Sequence, residues 1–269
     1  LLGMEVFDTT PYTILVVDDN PDMTDFLKRT FEGYFKRIII AGDGVEALQL
    51  VRSHVPDIIV SDVMMPRMNG YKLCKTIKED INISHIPVIL LTARDDRQSQ
   101  ISGYKNGADG YLSKPFEVEM LMELIRNRLK NREYTKKRYL NAGLIPTPEE
   151  STISLTDETF LIKLNSIIQE NIENSNLGIQ FICQEVGLGR SSLYNKLKAL
   201  TGMGANEYIS KLRIEKAITL ISGTDMPFSE IAEKTGFTTP SYFSTAFKQY
   251  TGETPSQYKE RKKKGLAGK

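Results

Sequence analysis

The stretch Ile58–Leu73, IIVSDVMMPRMNGYKL, decides the fold. Its first residues, Ile58–Ser61, form a short apolar run that ends on a carboxylate, Asp62, with Pro66 and Gly70 following. A run of that length bounded by turn-forming residues reads as a strand buried on both faces. Ile14–Val17, Val88–Leu91 and Gly110–Ser113 have the same character, and amphipathic stretches separate them. Strands alternating with helices predict an α/β domain built on a doubly wound parallel sheet. The carboxyl ends of such strands share one edge, where ligands bind. Asp18 and Asp19 follow the first run in the chain, Asp62 the next, Thr92 the third, and Lys114 the last. These carboxylates, the hydroxyl and the ammonium are expected to converge on that edge.

Taken singly, each residue has an ordinary role. An Asp after a strand is usually a cap or turn residue, and a Lys before Pro is usually solvated. The whole set in chain order, each member at a strand end, points to chemistry. Carboxylates crowded in one crevice repel unless a cation joins them. Hard oxygen donors without Cys or His nearby suit Mg²⁺ best. A carboxylate such as Asp62 can act as a nucleophile and form an aspartyl-phosphate. Mg²⁺ and Lys114 would stabilise charge on the transferring phosphoryl group, and Thr92 would hydrogen-bond one of its oxygens.

The segments ILVVDDN (14–20), IIVSDVMMPRMNGYKL (58–73), PVILLTA (87–93) and GADGYLSKPF (107–116) resemble the receiver domain of two-component signalling. The resemblance implies a flavodoxin-like five-stranded sheet with Asp62 as phosphoacceptor. Asp18 and Asp19 would form an acid pocket that holds Mg²⁺ together with Asp62 and the backbone carbonyl of Met64. Thr92 and Lys114 would contact the phosphoryl group. Thr92 and Tyr111 would be the switch residues, the Lys114–Pro115 bond would be cis, and Met64 and Arg94 would tune phosphoryl lifetime.

A chain of 269 residues exceeds the usual single-domain size, so two domains are expected. At 40% hydrophobic and 26% charged it can bury real cores. No apolar run approaches the ~20 residues that span a bilayer, and no signal peptide is visible. Cys74 and Cys183 lie far apart in helical patterns. They read as buried thiols of a reducing compartment, and a cytoplasmic location is expected. His54 and His85 carry no metal spacing. The chain begins at Leu1 rather than Met, which fits a piece of a longer polypeptide. The first half is net acidic and residues from 156 onward are net basic. That asymmetry matches an acidic metal site followed by a nucleic-acid module. The run Arg261–Lys264 reads as a solvated tail.

The first domain is assigned to residues 12–131. Its last helical pattern (Val118, Leu121, Leu124, Ile125, Leu129) fades into NREYTKKRY (131–139), then AGLIPTPEEST (142–152). Residues 132–155 are therefore expected to be a linker, charged first and extended later. Thr156 or Asp157 is expected to cap the next helix and open a second domain, 156–264.

That domain contains a repeat. Ile182–Gly187 aligns with Ile231–Gly236 at an offset of 49, and Leu193, Leu197, Leu200, Thr201-Gly202 and Tyr208 align with Phe243, Phe247, Tyr250, Thr251-Gly252 and Tyr258 at an offset of 50. One extra residue lies in the second turn. Leu193, Leu197 and Leu200 share one helical face, as do Phe243, Phe247 and Tyr250, and both sets are expected in the core. A short helix, a turn and a second amphipathic helix form a helix-turn-helix, whose second helix can enter the major groove of DNA. The exposed positions there are Arg190, Ser191, Tyr194 and Asn195 in the first copy. In the second they are Thr239, Ser241, Tyr242 and Thr245. Such side chains suit base edges, phosphates and thymine methyls. The arrangement alone is equally that of a helical protein-interaction domain.

FICQEVGLGRSSLYNKLKALTG (181–202) and FSEIAEKTGFTTPSYFSTAFKQYTGETPSQYK (228–259) resemble the two halves of the AraC/XylS-type DNA-binding domain. The resemblance implies an all-α double helix-turn-helix joined by one long helix, here about Ala205–Ser222, roughly 27 Å long. The recognition helices would then reach major-groove faces about one DNA turn (~34 Å) apart. Asn195 and Thr245 stand where many members carry Arg, so base specificity does not transfer. Gly204-Ala205 replaces a cap residue and Pro, and a frayed helix start is expected there.

Together the two resemblances imply a phosphorylation-controlled transcription factor rather than an enzyme in its own right. Expected partners are a histidine kinase, double-stranded promoter DNA and a second copy of the chain when phosphorylated, docking through the face near 101–130. RNA polymerase is a further candidate, and no membrane contact is expected from this segment. The domain order resembles the C-terminal part of hybrid two-component sensors of gut Bacteroides-type bacteria, with the kinase in the same polypeptide. Three rivals are weaker. A Mg²⁺-dependent aspartyl phosphatase needs a second acid where Met64 stands. A sugar-sensing AraC-type regulator needs an N-terminal β-barrel. A docking module for proteins would bind with little dependence on salt, unlike a DNA-binding domain.

Overall fold

The computed structural model describes residues 6–93, 107–141 and 154–266. The chain divides into two compact units, Leu1–Tyr139 with Pro146–Glu158, and Leu140–Ile145 with Thr159–Lys269.

The first unit alternates β1 (Thr13–Val17), α1 (Pro21–Phe31), β2 (Arg37–Ala41), α2 (Gly44–His54), β3 (Ile58–Asp62), α3 (Gly70–Glu79), β4 (Val88–Ala93), β5 (Gly110–Lys114) and α4 (Val118–Asn141). The strands form one five-stranded sheet in the order β2-β1-β3-β4-β5, and every pairing is parallel. Chain order reverses between β1 and β3, which opens a crevice at their carboxyl ends. Alternate residues of the central strands enter opposite cores. Leu15, Ile59 and Leu90 pack with Leu73 and Ile77 of α3. Ile14, Ile58 and Ile89 pack with Leu27 of α1 and Leu121 and Ile125 of α4. The strand absent from the four apolar runs is β2, an edge strand with Arg37 exposed and Ile38 and Ile40 half-buried. Helix starts are fixed by side-chain caps. Asn20 accepts from the Asp22 N–H, Asp43 from those of Val45 and Glu46, and Asn69 from that of Lys72.

The expected linker 132–155 needs correction at both ends. Residues 132–141 continue α4. The Arg132 guanidinium is mostly buried, donating to the Asp57 carbonyl at 3.1 Å and pairing with its carboxylate at 3.5 Å. Burial lowers its pKa, and Asp57 and Glu133 oppose that. Lys136 pairs with Glu133 one turn away, and Tyr139 is buried. The charges that resemble a linker are thus helix contacts. At the other end the helix α5 (Leu155–Glu170) begins before Thr156. Ser154 is the cap, accepting from the Asp157 N–H and donating to its carboxylate. Thr156 and Asp157 are occupied otherwise, with Lys78 carbonyl and Ser84 hydroxyl respectively. The AGLIPTPEEST segment lies outside the described residues.

The second unit holds the rest of α5, then α6 (Ile179–Val186), α7 (Arg190–Thr201), α8 (Ala205–Gly223), α9 (Phe228–Lys234), α10 (Pro240–Thr251) and α11 (Pro255–Leu266). The repeat is visible in its hydrogen bonds. Thr201 and Thr251 each donate to the carbonyl four residues back at 2.8 Å. Gly202 and Gly252 follow in the left-handed region, at φ 75° and 80°. The extra residue falls between Gly236 and Pro240. Leu193, Leu197, Leu200, Phe243 and Phe247 are buried as expected. Tyr250 is not core: it is 37% exposed, and its phenol donates to the Glu207 carbonyl at 2.7 Å. A phenol needs a polar partner, which the surface of α8 supplies where Leu200 needs none. Gly204 offers no side-chain cap to α8, but its own N–H donates to Glu207, which offsets the expected fraying. Cys74 and Cys183 are buried, and neither is in a disulfide.

Gly236 and Gly252 separate two costs. Both have positive φ, but a Cβ on Gly236 would lie 2.2 Å from the Ile172 carbonyl oxygen, whereas Gly252 faces open space. Gly252→Ala is expected to cost about 1–2 kcal/mol for left-handed backbone. Gly236→Ala should lose about 1–3 kcal/mol more through the overpacked contact. Urea unfolding of the two variants measures the difference; equal losses would mean the Ile172 carbonyl yields freely.

Candidate functional site

The parallel register brings the strand-end residues together. Ser61 pairs with Val17 across β1 and β3, Asp62 with Leu91 across β3 and β4, and Thr92 with Ser113 and Ala93 with Lys114 across β4 and β5. Asp18 and Asp62 are buried and Asp19 is exposed beside them. The Lys114 ammonium lies between the buried pair, 2.9 Å from an Asp18 oxygen and 2.5 Å from an Asp62 oxygen. The other Asp62 oxygen accepts from the Met64 N–H at 2.8 Å. The second Asp18 oxygen accepts from the Asn20 N–H. Thr92 is 1% exposed, and its hydroxyl donates to the Ala93 carbonyl. Tyr111 pairs with Leu90 and packs half-buried against that core. The Lys114–Pro115 bond is cis, as expected.

Burial raises the Asp62 carboxyl above its ordinary value; hydrogen bonding and charge from Lys114 lower it, and Asp18 raises it. Burial works against the Lys114 ammonium, yet bonding to Asp62 and Asp18 outweighs this, and its pKa rises. The arrangement is a negative crevice that already holds one cation. Among the described residues no three His, Cys, Asp or Glu side chains close around one point. The donor chemistry of Asp18, Asp19, Asp62 and the Met64 carbonyl fits Mg²⁺ all the same, being hard oxygen throughout.

The loop after Asp62 depends on residues outside the set of candidate site residues. Gly70 packs so closely that a Cβ there would lie 2.2 Å from the Asp62 carbonyl oxygen, and one on Gly44 would lie 2.6 Å from that of Met68. Arg67, at φ 60°, forms an ion pair with the buried Asp43. The glycines in MNG and GDG were the available signal; the Asp43–Arg67 pair spans too much sequence to be seen. Arg94 lies outside the described residues, as does part of the 101–130 face.

In the second unit Arg190, Ser191, Tyr194 and Asn195 are exposed on α7, and Ser241, Tyr242 and Thr245 on α10. Thr239 caps α10 by accepting from the Tyr242 N–H, and the Thr245 hydroxyl donates to the Ser241 carbonyl. Part of the hydrogen-bonding capacity expected for DNA is therefore spent within the helix. Lys196, on the same helix as Arg190, is fully buried with its ammonium 5.1 Å from the Phe160 ring centre. Its position between Asn195 and Leu197 on an amphipathic helix hid that. Lys198 and Lys248 are exposed at equivalent positions of α7 and α10.

Residues 14–126 match the response regulator receiver domain family, and residues 182–261 match a helix-turn-helix domain family. The chain is 41% identical to histidine kinase P4 of Formosa agariphila over 93% of its own length but 18% of that protein. It is 36% identical to response regulator MprA of Mycobacterium sp., covering 56% of this chain and 70% of that one. It is also 36% identical to DNA-binding response regulator MtrA of Mycolicibacterium smegmatis, covering 51% of this chain and 58% of that one. The chain belongs to the two-component response regulators. Within them it pairs a receiver with an AraC-type helix-turn-helix domain. No described helix is long and apolar enough to cross a membrane.

Gly70→Ala tests how tightly the loop is held. Forcing a methyl against the Asp62 carbonyl should destabilise the receiver unit by about 1–3 kcal/mol. A shift in the denaturation midpoint of that transition is the readout. An unchanged midpoint would show that the α3 start can move away from Asp62 at no cost.

Proposed function

We propose that this chain is a DNA-binding transcriptional regulator switched by phosphorylation of Asp62. The observation that carries the reading is the buried Asp62 carboxylate bridged by Lys114 to Asp18 at the sheet's carboxyl edge. In the reaction, an Asp62 oxygen attacks the phosphorus of a phosphohistidine on a histidine kinase. A P–O bond forms, the P–N bond breaks, and the imidazole leaves with its electron pair. Lys114 is already at hydrogen-bond distance to Asp62 and would follow the developing charge onto the phosphoryl oxygens. Asp18, Asp19, Asp62 and the Met64 carbonyl would hold Mg²⁺, which when bound neutralises charge on the phosphoryl group. The Thr92 hydroxyl, now turned to the Ala93 carbonyl, would rotate to a phosphoryl oxygen, and Tyr111 would follow it inward. That is a local electrostatic change biasing a two-state element.

The output is promoter binding by Arg190, Ser191, Tyr194 and Asn195 on α7 and by Thr239, Ser241, Tyr242 and Thr245 at α10. Phosphorylation would favour pairing of two chains through their receivers, placing two double helix-turn-helix domains on repeated sites. RNA polymerase is the further partner that a bound activator would meet. The P4 relative is called a histidine kinase and matches this chain over a small part of its length, which supports a donor kinase within one longer polypeptide.

The test is promoter-library affinity with and without beryllofluoride plus Mg²⁺, for the wild type and Asp62→Ala. The mimic should tighten wild-type binding by roughly 5–150-fold, the usual range of an allosteric coupling, and leave Asp62→Ala unmoved. Affinity should also fall steeply with salt through counterion release. Wild-type binding that ignores the mimic would break the link to Asp62. Salt-insensitive binding to a protein partner, without DNA binding, would favour the docking reading.

A further inference from the structure

Arginines in the second unit are mostly committed elsewhere. Arg261 makes a two-pronged pair with Glu253. Arg213 donates to the Asn174 carbonyl and lies over the Phe237 ring. Arg190 is different. Its Nε donates to the Gln180 side-chain carbonyl at 3.1 Å, and among the described residues it forms no ion pair. Both residues are exposed. They line a groove of about 520 Å³ with Leu193, Tyr194 and Asn206, between the starts of α6, α7 and α8.

An exposed hydrogen bond from a guanidinium to a neutral amide adds little to folding, because water competes for both partners. Its geometric effect is larger. An arginine reads guanine through two parallel N–H donors aimed at O6 and N7. The guanidinium offers such a fork either from its side, using Nε and one Nη, or end-on, using both Nη groups. With Nε taken by Gln180, only the end-on fork remains. Because Gln180 is neutral, Arg190 keeps its full charge, which a carboxylate partner would have cancelled. Arg190 is also the first residue of α7, the part of a recognition helix that meets base edges.

We propose that Gln180 is a positioning residue that holds Arg190 for end-on recognition of a guanine, giving the first helix-turn-helix a base preference. The inference rests on the DNA-binding reading above and adds a residue from outside the recognition helix. The second copy has no counterpart, since Pro240 stands where Arg190 does. The guanine preference therefore belongs to one half of the site.

The experiment selects sites from a randomised duplex library with the full chain in beryllofluoride and Mg²⁺. It compares wild type, Arg190→Ala, Gln180→Ala, Gln180→Glu and the Gln180→Ala/Arg190→Ala double variant, with folding checked by circular dichroism. The wild type should select a guanine at one position, and Arg190→Ala should lose it. Gln180→Ala should weaken that discrimination by roughly tenfold, within the range for one bidentate base contact, and the double variant should match Arg190→Ala. Gln180→Glu keeps the acceptor, so its guanine preference should persist even as overall affinity falls. An unchanged preference in Gln180→Ala would overturn the inference while leaving DNA binding intact. So would a uniform loss across all sequences with a smaller salt slope, the mark of a phosphate contact. A wild type that selects no site would sink both readings.

Discussion

Everything in the first unit serves to place one ammonium between two buried carboxylates. Asp18 and Asp62 come from β1 and β3, adjacent strands whose ends must align if the sheet is parallel. Two buried carboxylates this close repel, and each loses hydration on burial. Lys114, from the far strand β5, reaches both. That contact requires β4 to pair with β3 on one side and β5 on the other in the observed register. The register in turn is fixed because alternate residues of each strand belong to separate cores on the two faces. A one-residue slip would send every side chain to the wrong core. The fold's packing and the site's charge balance are therefore one constraint. In the proposed reading, a dianionic phosphoryl group on Asp62 would change the balance of a crevice held by a single cation.

The second unit solves a different problem, presenting two similar helices with different chemistry. The repeat preserves backbone devices: a threonine closing each recognition helix, a left-handed glycine after it, and a tyrosine early in the next helix. These fix where α7 and α10 end and how the following helix leaves. The helix starts are not preserved. Thr239 caps α10, whereas Gly189, at the same position before α7, gives no side-chain cap. Duplicated geometry with divergent N-terminal residues fits a module that reads two unlike subsites.

Much of this was legible in the sequence because it rests on local pattern. The three central strands and the edge strand β5 come from the four short runs, and each candidate residue of the crevice stands at the end of one. The edge strand Arg37–Ala41 was harder, since one side is open and its burial is partial. Residues 132–141 misled because their helical contacts are made by Arg132, Glu133 and Lys136, whose charges imitate a linker. Arg132 is buried only because Asp57, 75 residues earlier, receives it, and no window of sequence contains both. Tyr250 misled for the converse reason. It occupies an apolar position in the repeat, but its phenol is drawn to a carbonyl on another helix. Ser154 displaced Thr156 as cap because Thr156 has a competing acceptor in Lys78. In each case the deciding partner is distant in sequence.

Net charge is a poor guide to the second unit's electrostatics; pairing is a better one. Lys216 with Glu173, Lys259 with Asp225 and Arg261 with Glu253 are ion pairs whose fields largely cancel beyond a few ångströms. Arg190, Lys198 and Lys248 make no ion pair among the described residues, and all three stand on α7 or α10. A polyanion approaching this unit meets local charge on the recognition helices that the chain's formal net charge of +1 conceals. Since counterion release scales with the phosphates actually neutralised, these cations would contribute to the electrostatic part of the affinity in the proposed DNA-binding reading. In that reading base preference would fall to whichever of them is held in a fixed direction, and Arg190, whose Nε donates to Gln180, is the one so held.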